Sequence, residues 1–152
     1  MGVQKEQEAL SPITNHMEVE GELCKLFYEK FGAADLPLIA SVFQRWGTFL
    51  GERMRKKLGE VGLKEAAEAY LRPAMEREPK PEILELSDER VVVKIFTCPY
   101  RLYGAGRPLC EAMMAMDSAT IRAMMGGKEL EAEFPKSLAA GDECCLTVMK
   151  RP

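Results

Sequence analysis

The residues of this sequence best suited to chemistry are its cysteines: Cys24, and in the C-terminal half Cys98, Cys110, Cys144 and Cys145. A thiolate is a strong nucleophile and a soft metal ligand, and a pair of thiols can be oxidised. Cys98 stands where a strand is predicted to end. Pro99 follows it and stops the ladder, which places the side chain at a sheet edge. Cys110 and Asp117 are seven apart on a helix predicted over 108–125, so they share one side of it. The apolar side of that helix is Leu109, Met113, Met116, Ile121 and Met124, with Thr120 its polar member. A carboxylate beside such a stripe is costly unless paired. Asp117 therefore reads either as a cap on a neighbouring loop or as an acid/base that orients a thiol. In the last predicted strand, 143–149, Cys144 alternates with Leu146 and Val148 and reads as packing. Cys145 shares the other face with Glu143, Thr147 and Met149, which makes it the better site candidate. Cys24 lies on a helical stripe and reads as core.

Two further constellations bear on the same region. The loop Tyr103-Gly104-Ala105-Gly106-Arg107 precedes Pro108 at a helix start, where two glycines, an arginine and free N–H groups would suit a carboxylate. A flexible turn is the plainer reading, since a lone Gly-x-Gly lacks the rest of a dinucleotide fingerprint. Cys98, Cys110 and Cys145 could supply three thiolates to zinc or an iron-containing centre with an open position. Their spacing matches no standard zinc or iron–sulfur pattern, and adjacent Cys144 and Cys145 point to opposite faces of a strand. The single histidine, His16, is far along the chain, so a Cys–His pair or a Ser–His–Asp triad is poorly supported.

The elements that must position these groups can be read from periodicity. Residues 1–13 are polar and aperiodic and are expected to form a mobile tail, with one domain over 14–152. Asn15 with Glu18 three residues on marks a helix start. Val19, Leu23, Cys24, Phe27, Tyr28 and Phe31 follow at helical spacing, and Gly32 stops them. A second helix runs from Asp35 to about Leu58. Its apolar residues cover more than a narrow stripe, so it is central or lies at an interface. Gly47 and Gly51 would admit a close neighbour, either inside the monomer or across a dimer contact. A third helix, 63–77, is expected to kink at Pro73. Pro79-Lys80-Pro81 marks the change to sheet, with strands over 82–87, 89–97, 128–134 and 143–149 around the helix 108–125. The expected fold is α+β: N-terminal helices, then β-β-α-β-β, an antiparallel sheet with helices on one face.

Composition narrows the function classes. The 152 residues are 47% hydrophobic and 30% charged, enough for a real core on a soluble chain. A net charge of −3 and the lack of a basic stripe argue against nucleic acid. Arg53, Arg55, Lys56 and Lys57 sit late in the second helix, where they complement its dipole. The first residues are too charged for a signal peptide, Glu6 replaces the hydroxyl residue of a myristoylation signal, and no uncharged run is long enough to span a membrane. A cytoplasmic protein with reduced thiols is expected.

Cys98-Pro99, then Cys110 with Asp117, then Gly141-Asp142-Glu143-Cys144-Cys145 as a Gly-Asp-x-x-Cys ending, resemble the L-2-amino-thiazoline-4-carboxylic acid hydrolase-like family. That family is similar to the 4-vinyl reductase domains, described as hydrocarbon-binding and as sharing a fold with trafficking-complex subunits. The resemblance covers the last third of the chain and the N-terminal helices in outline. It implies a 4-vinyl reductase-like α/β domain with an enclosed pocket, often dimeric. Its functional positions map to Cys98, Cys110, Asp117, Asp142 and Cys145.

Three functional expectations follow. The first is a small-molecule-binding domain, metal- or redox-responsive, whose pocket is lined by Met113, Met114 and aromatic residues and edged by Cys98, Cys110 and Cys145. In it Tyr103, Gly104, Gly106 and Arg107 would contact the ligand. The second is a hydrolase opening a cyclic C–N or C–S bond, with a thiolate from Cys110 or Cys145 attacking and Asp117 managing protons. The third is a structural partner that forms a homodimer through the second helix.

Overall fold

The computed structural model describes residues 11–152, so most of the tail expected over 1–13 lies outside the described residues. Helix α1 (His16–Phe31) begins as its sequence dictates: the Asn15 side chain accepts from the Glu18 N–H at 3.0 Å. Gly32, at a φ of 72°, ends it. A short 3₁₀ turn (Gly32–Asp35) leads into α2 (Leu36–Leu58), and α3 (Leu63–Met75) follows. The sheet strands are β1 (Glu82–Leu86), β2 (Arg90–Ile95), β3 (Glu131–Lys136) and β4 (Cys145–Lys150). Between β2 and β3 lie α4 (Arg107–Met113) and α5 (Ala115–Met124), where one helix is expected from the sequence. The break falls at Met114, whose N–H is shared between the carbonyls of Cys110 and Ala112.

The sheet order is β1-β2-β4-β3 and every pairing is antiparallel. The α+β architecture with N-terminal helices and a four-stranded antiparallel sheet therefore stands. Val91, Val93 and Ile95 of β2 pair with Met149, Thr147 and Cys145 of β4. This row carries the main core: Val91, Val93 and Met149 pack with Leu63, Ala66 and Ala67 of α3 and Ile121 and Met124 of α5. The Cys145 row is thus the helix-facing one, the reverse of the expected assignment. Both rows of β4 carry apolar residues, so alternation alone could not choose, and a shift of one residue exchanges the faces. Cys144 is buried nonetheless, at 1% exposure.

A second core cluster gathers Phe43, Leu102, Leu109, Cys110, Met113 and Ala139 between α2, α4 and the loop after β2. The two clusters are joined by the close crossing of α2 over α5. A Cβ on Gly47 would lie 2.2 Å from the Met116 carbonyl oxygen, and one on Gly51 would lie 2.3 Å from that of Thr120. These glycines serve packing inside the monomer, which decides between the two readings of their spacing. Among the described residues no helix is long and apolar enough to cross a membrane.

Candidate functional site

The loop from Cys98 to Gly106 is tightly knotted. The Cys98 N–H donates to the Tyr103 hydroxyl at 2.9 Å, and the Cys98 sulfur accepts from the Leu102 N–H at 3.5 Å. Arg101, at a φ of 57°, reaches back to the Glu18 carboxylate and the Pro12 carbonyl, each at 3.0 Å. Gly21 of α1 lets the loop approach, since a Cβ there would meet the Tyr100 carbonyl oxygen at 2.0 Å. Tyr100 stands edge-on to Phe43, and burial, with Glu20, Cys98 and Cys24 adding to it, pushes its hydroxyl up to about 12.

Three of the thiols meet at the second core cluster. Cys24 borders the second core cluster, as does Cys98, and Cys110 is part of it. Cys98 and Cys110 are both near enough to Cys145 for their charge to raise it. Burial is the largest influence on Cys24, Cys110 and Cys145 and raises each, Cys145 to about 11. The Cys145 sulfur accepts from the Leu138 N–H at 3.4 Å. The Ser137 hydroxyl lies beside Cys110 and holds its thiol back slightly, yet makes no well-aligned hydrogen bond of its own. Such thiols are predominantly protonated at neutral pH, the wrong state for a nucleophile. Among the described residues no group of three or more His, Cys, Asp or Glu side chains is placed to hold a metal ion.

The other expected participants are engaged elsewhere. Asp117 accepts from the Tyr70 hydroxyl of α3, and burial raises its carboxyl to about 7. The break at Met114 separates its helix from that of Cys110. Arg107 is engaged within the fold. Its guanidinium donates to the carbonyls of Phe134 and Pro135, with Asp142 at 3.7 Å and Glu111 at 3.8 Å. Gly104 and Gly106 have φ values of 74° and 100°, and the Gly106 N–H is spent on the Ala139 carbonyl at 2.9 Å. Met113 is packed at 2% exposure.

The open apolar space lies instead where α1 turns into α2. A groove of about 370 Å³ is lined by Cys24, Phe27 and Phe31 of α1 and by Leu38, Ile39, Val42 and Phe43 of α2, with Asp35 at its edge. Its walls are largely exposed: Phe27 53%, Phe31 51%, Leu38 68%, Val42 60%. The helical stripe of α1, expected to face the core, therefore leaves much of its apolar side uncovered. Periodicity finds such a stripe but not what covers it. Cys24, read as plain packing, is the thiol that opens onto this groove.

No family model matches the chain, and no curated protein matches it in sequence. Among solved structures it is similar to a trafficking protein particle complex subunit 3 from Naegleria fowleri, covalently bound to palmitic acid. The two are 14% identical, with a TM-score of 0.61 over 88% of this chain and 91% of that chain, a likeness of fold.

Proposed function

We propose that this domain binds an elongated apolar ligand, of the fatty-acyl class, in the groove between α1 and α2. The observation that carries the reading is the groove itself: about 370 Å³ of open space walled by aromatic and aliphatic side chains, with one carboxylate at the rim. That size is within the range of small-ligand sites, and an apolar wall with a few polar groups is their usual make-up. Cys24 in its wall, with Cys98 bordering the core cluster behind it and Cys110 within that cluster, supports reading this as the cysteine-edged pocket, at the α1–α2 junction rather than at Met113. The palmitic acid held by the similar trafficking-complex subunit supports the ligand class. The raised thiols favour non-covalent binding over a thiolate mechanism. Ring-opening hydrolysis has less support, because Asp117 is bonded to Tyr70 and Arg107 to the β3 carbonyls. Five free thiols suit a cytoplasmic setting.

The test is thermal melting of the full chain with palmitic acid, alongside mass spectrometry of organic extracts of the purified protein. A ligand at about a hundred times its Kd stabilises by about 2.7 kcal/mol, a rise of several degrees in Tm. Cys24→Trp, which fills the groove, is expected to abolish the rise. No rise with saturated fatty acids of any chain length, and no co-purified lipid, would sink the reading.

A further inference from the structure

Four arginines are partly buried among the described residues: Arg55, Arg101, Arg107 and Arg122. The fold supplies carboxylates to two of them: Glu18 to Arg101 at 3.0 Å, Asp142 and Glu111 to Arg107 at 3.7 and 3.8 Å. Among the described residues Arg55 and Arg122 have no such partner, and both line one cleft of about 440 Å³ between α2 and α5. A partly buried cation without a counter-charge is costly, so two in one cleft favour an anion there. Both guanidiniums are seated on backbone. That of Arg55 lies on Gly126, at a φ of 78°, where any Cβ would collide with it. Arg122 donates one N–H to the Leu130 carbonyl at 3.2 Å. Arg55 donates to no acceptor among the described residues, so most of the pair's donors are left for solvent or a ligand. Each arginine stands in the last turn of its helix, whose end supplies only about half a unit of negative charge. Glu52, exposed on the rim, is the one acid in the lining and pairs with neither.

We propose that the α2–α5 cleft binds a small phosphate monoester, whose phosphoryl oxygens accept from Arg55 and Arg122. Planar guanidinium forks match phosphate oxygens in pairs, and a dianion answers two of them where a carboxylate answers one. At about 440 Å³ the cleft is in the range of small-molecule sites rather than of bare ions. Beyond the arginines its floor is Ala119 and Ala123, and Thr48 and Gln44 form one wall, a turn apart on α2. The small floor leaves room for the organic body of the ester. The Thr48 hydroxyl donates to the Gln44 backbone carbonyl at 2.9 Å and keeps its lone pairs for a ligand. The Gln44 side-chain amide offers a donor and an acceptor to the far end. This site is separate from the apolar groove, because Gly47 and Gly51, pressed on α5, lie between the two around α2.

An NMR titration of the full chain with phenyl phosphate tests this, read at the Gly126 and Gly127 amides. Saturable shifts are expected, and Arg55→Gln and Arg122→Gln should each weaken binding about tenfold or more, as the loss of a charge-assisted hydrogen bond does. Lys56→Gln removes an exposed cation outside the cleft and should change affinity less than about twofold. Glu52→Gln should tighten it about threefold. Benzoate, the carboxylate counterpart, is expected to bind about tenfold more weakly. Should Arg55→Gln misfold, Arg55→Lys keeps the charge, loses the fork and should still weaken binding about fivefold. No saturable shift below about 10 mM phenyl phosphate overturns the proposal. So does a loss in Lys56→Gln as large as in the arginine variants, or benzoate binding as tightly as phenyl phosphate. Vesicles carrying phosphatidic acid then assign the source: capture that Arg55→Gln abolishes puts the monoester on a lipid headgroup, and no capture puts it in solution.

Discussion

The two sides of α2 have similar apolar character and opposite fates. On the inner side Phe43, Gly47 and Gly51 are buried, the glycines pressed on the backbone of α5. On the outer side Leu38, Val42, Trp46 and Phe49 are left 48–68% exposed by the described residues. The contrast shows that burial in this helix follows from the absence of side chains as much as from their hydrophobicity. Two Cβ-free positions one turn apart bring α5 close enough for Met116 and Thr120 carbonyls to touch the α2 backbone. The bulky outer row cannot nest against its own sheet and is left for something else to cover.

The largest effect should come from the inner side. Gly47→Ala gains about 1 kcal/mol of helix propensity. Against that, its Cβ would sit 2.2 Å from a backbone oxygen that cannot move without shifting α5. The clash wins, and chemical denaturation is expected to show a net loss of about 3 kcal/mol or more. A neutral result would mean that the helices are not in contact. Next comes the outer side, where Trp46→Glu is expected to change the stability of the fold by no more than about 0.5 kcal/mol, read by the same denaturation. If it unfolded the monomer, the outer row would be core after all, and the contrast would vanish.

A third prediction sharpens the inner side through α5. Asp117 is raised by burial from an ordinary value of 3.8 to about 7. Between those values the folded form holds a proton that the unfolded form has lost, so stability falls as pH rises from about 4 to 7 and levels off above. Asp117→Asn, which can still accept from Tyr70, should flatten that slope and raise stability at pH 8 by about 1–2 kcal/mol. Melting temperature against pH reads this directly, and an unchanged slope in the variant would move the titration to another group. The smallest effect is expected at the thiols. Cys98→Ser and Cys145→Ser should each cost less than about 1 kcal/mol, because a hydroxyl can accept the backbone N–H that each sulfur now accepts. A loss of palmitic acid binding in either variant would instead return the chemistry to these thiols.

Much of the frame was legible along the chain. The Asn15–Glu18 cap, the stop at Gly32, the helix-to-sheet change around Pro79–Pro81 and the four strands are local signals, and local signals survive folding. The site was less legible. Cys110 and Asp117 are on one side of an unbroken helix, but the chain breaks that helix at Met114. Arg107 reads as free until β3 supplies the carbonyls that occupy it.

What the sequence determined by itself is therefore the class of the fold, the order and approximate ends of its elements, and the presence of unusually apolar first helices. Those depend on backbone preference and periodicity, which act over a few residues. Only the tertiary structure decided which row of β4 meets the helices, that Gly47 and Gly51 serve the monomer, and that the apolar rows of α1 and α2 stay open. Each of those depends on what packs against a residue from far along the chain, and hydrophobic spacing is the same whether a stripe is covered by its own sheet, by a ligand or by a second molecule.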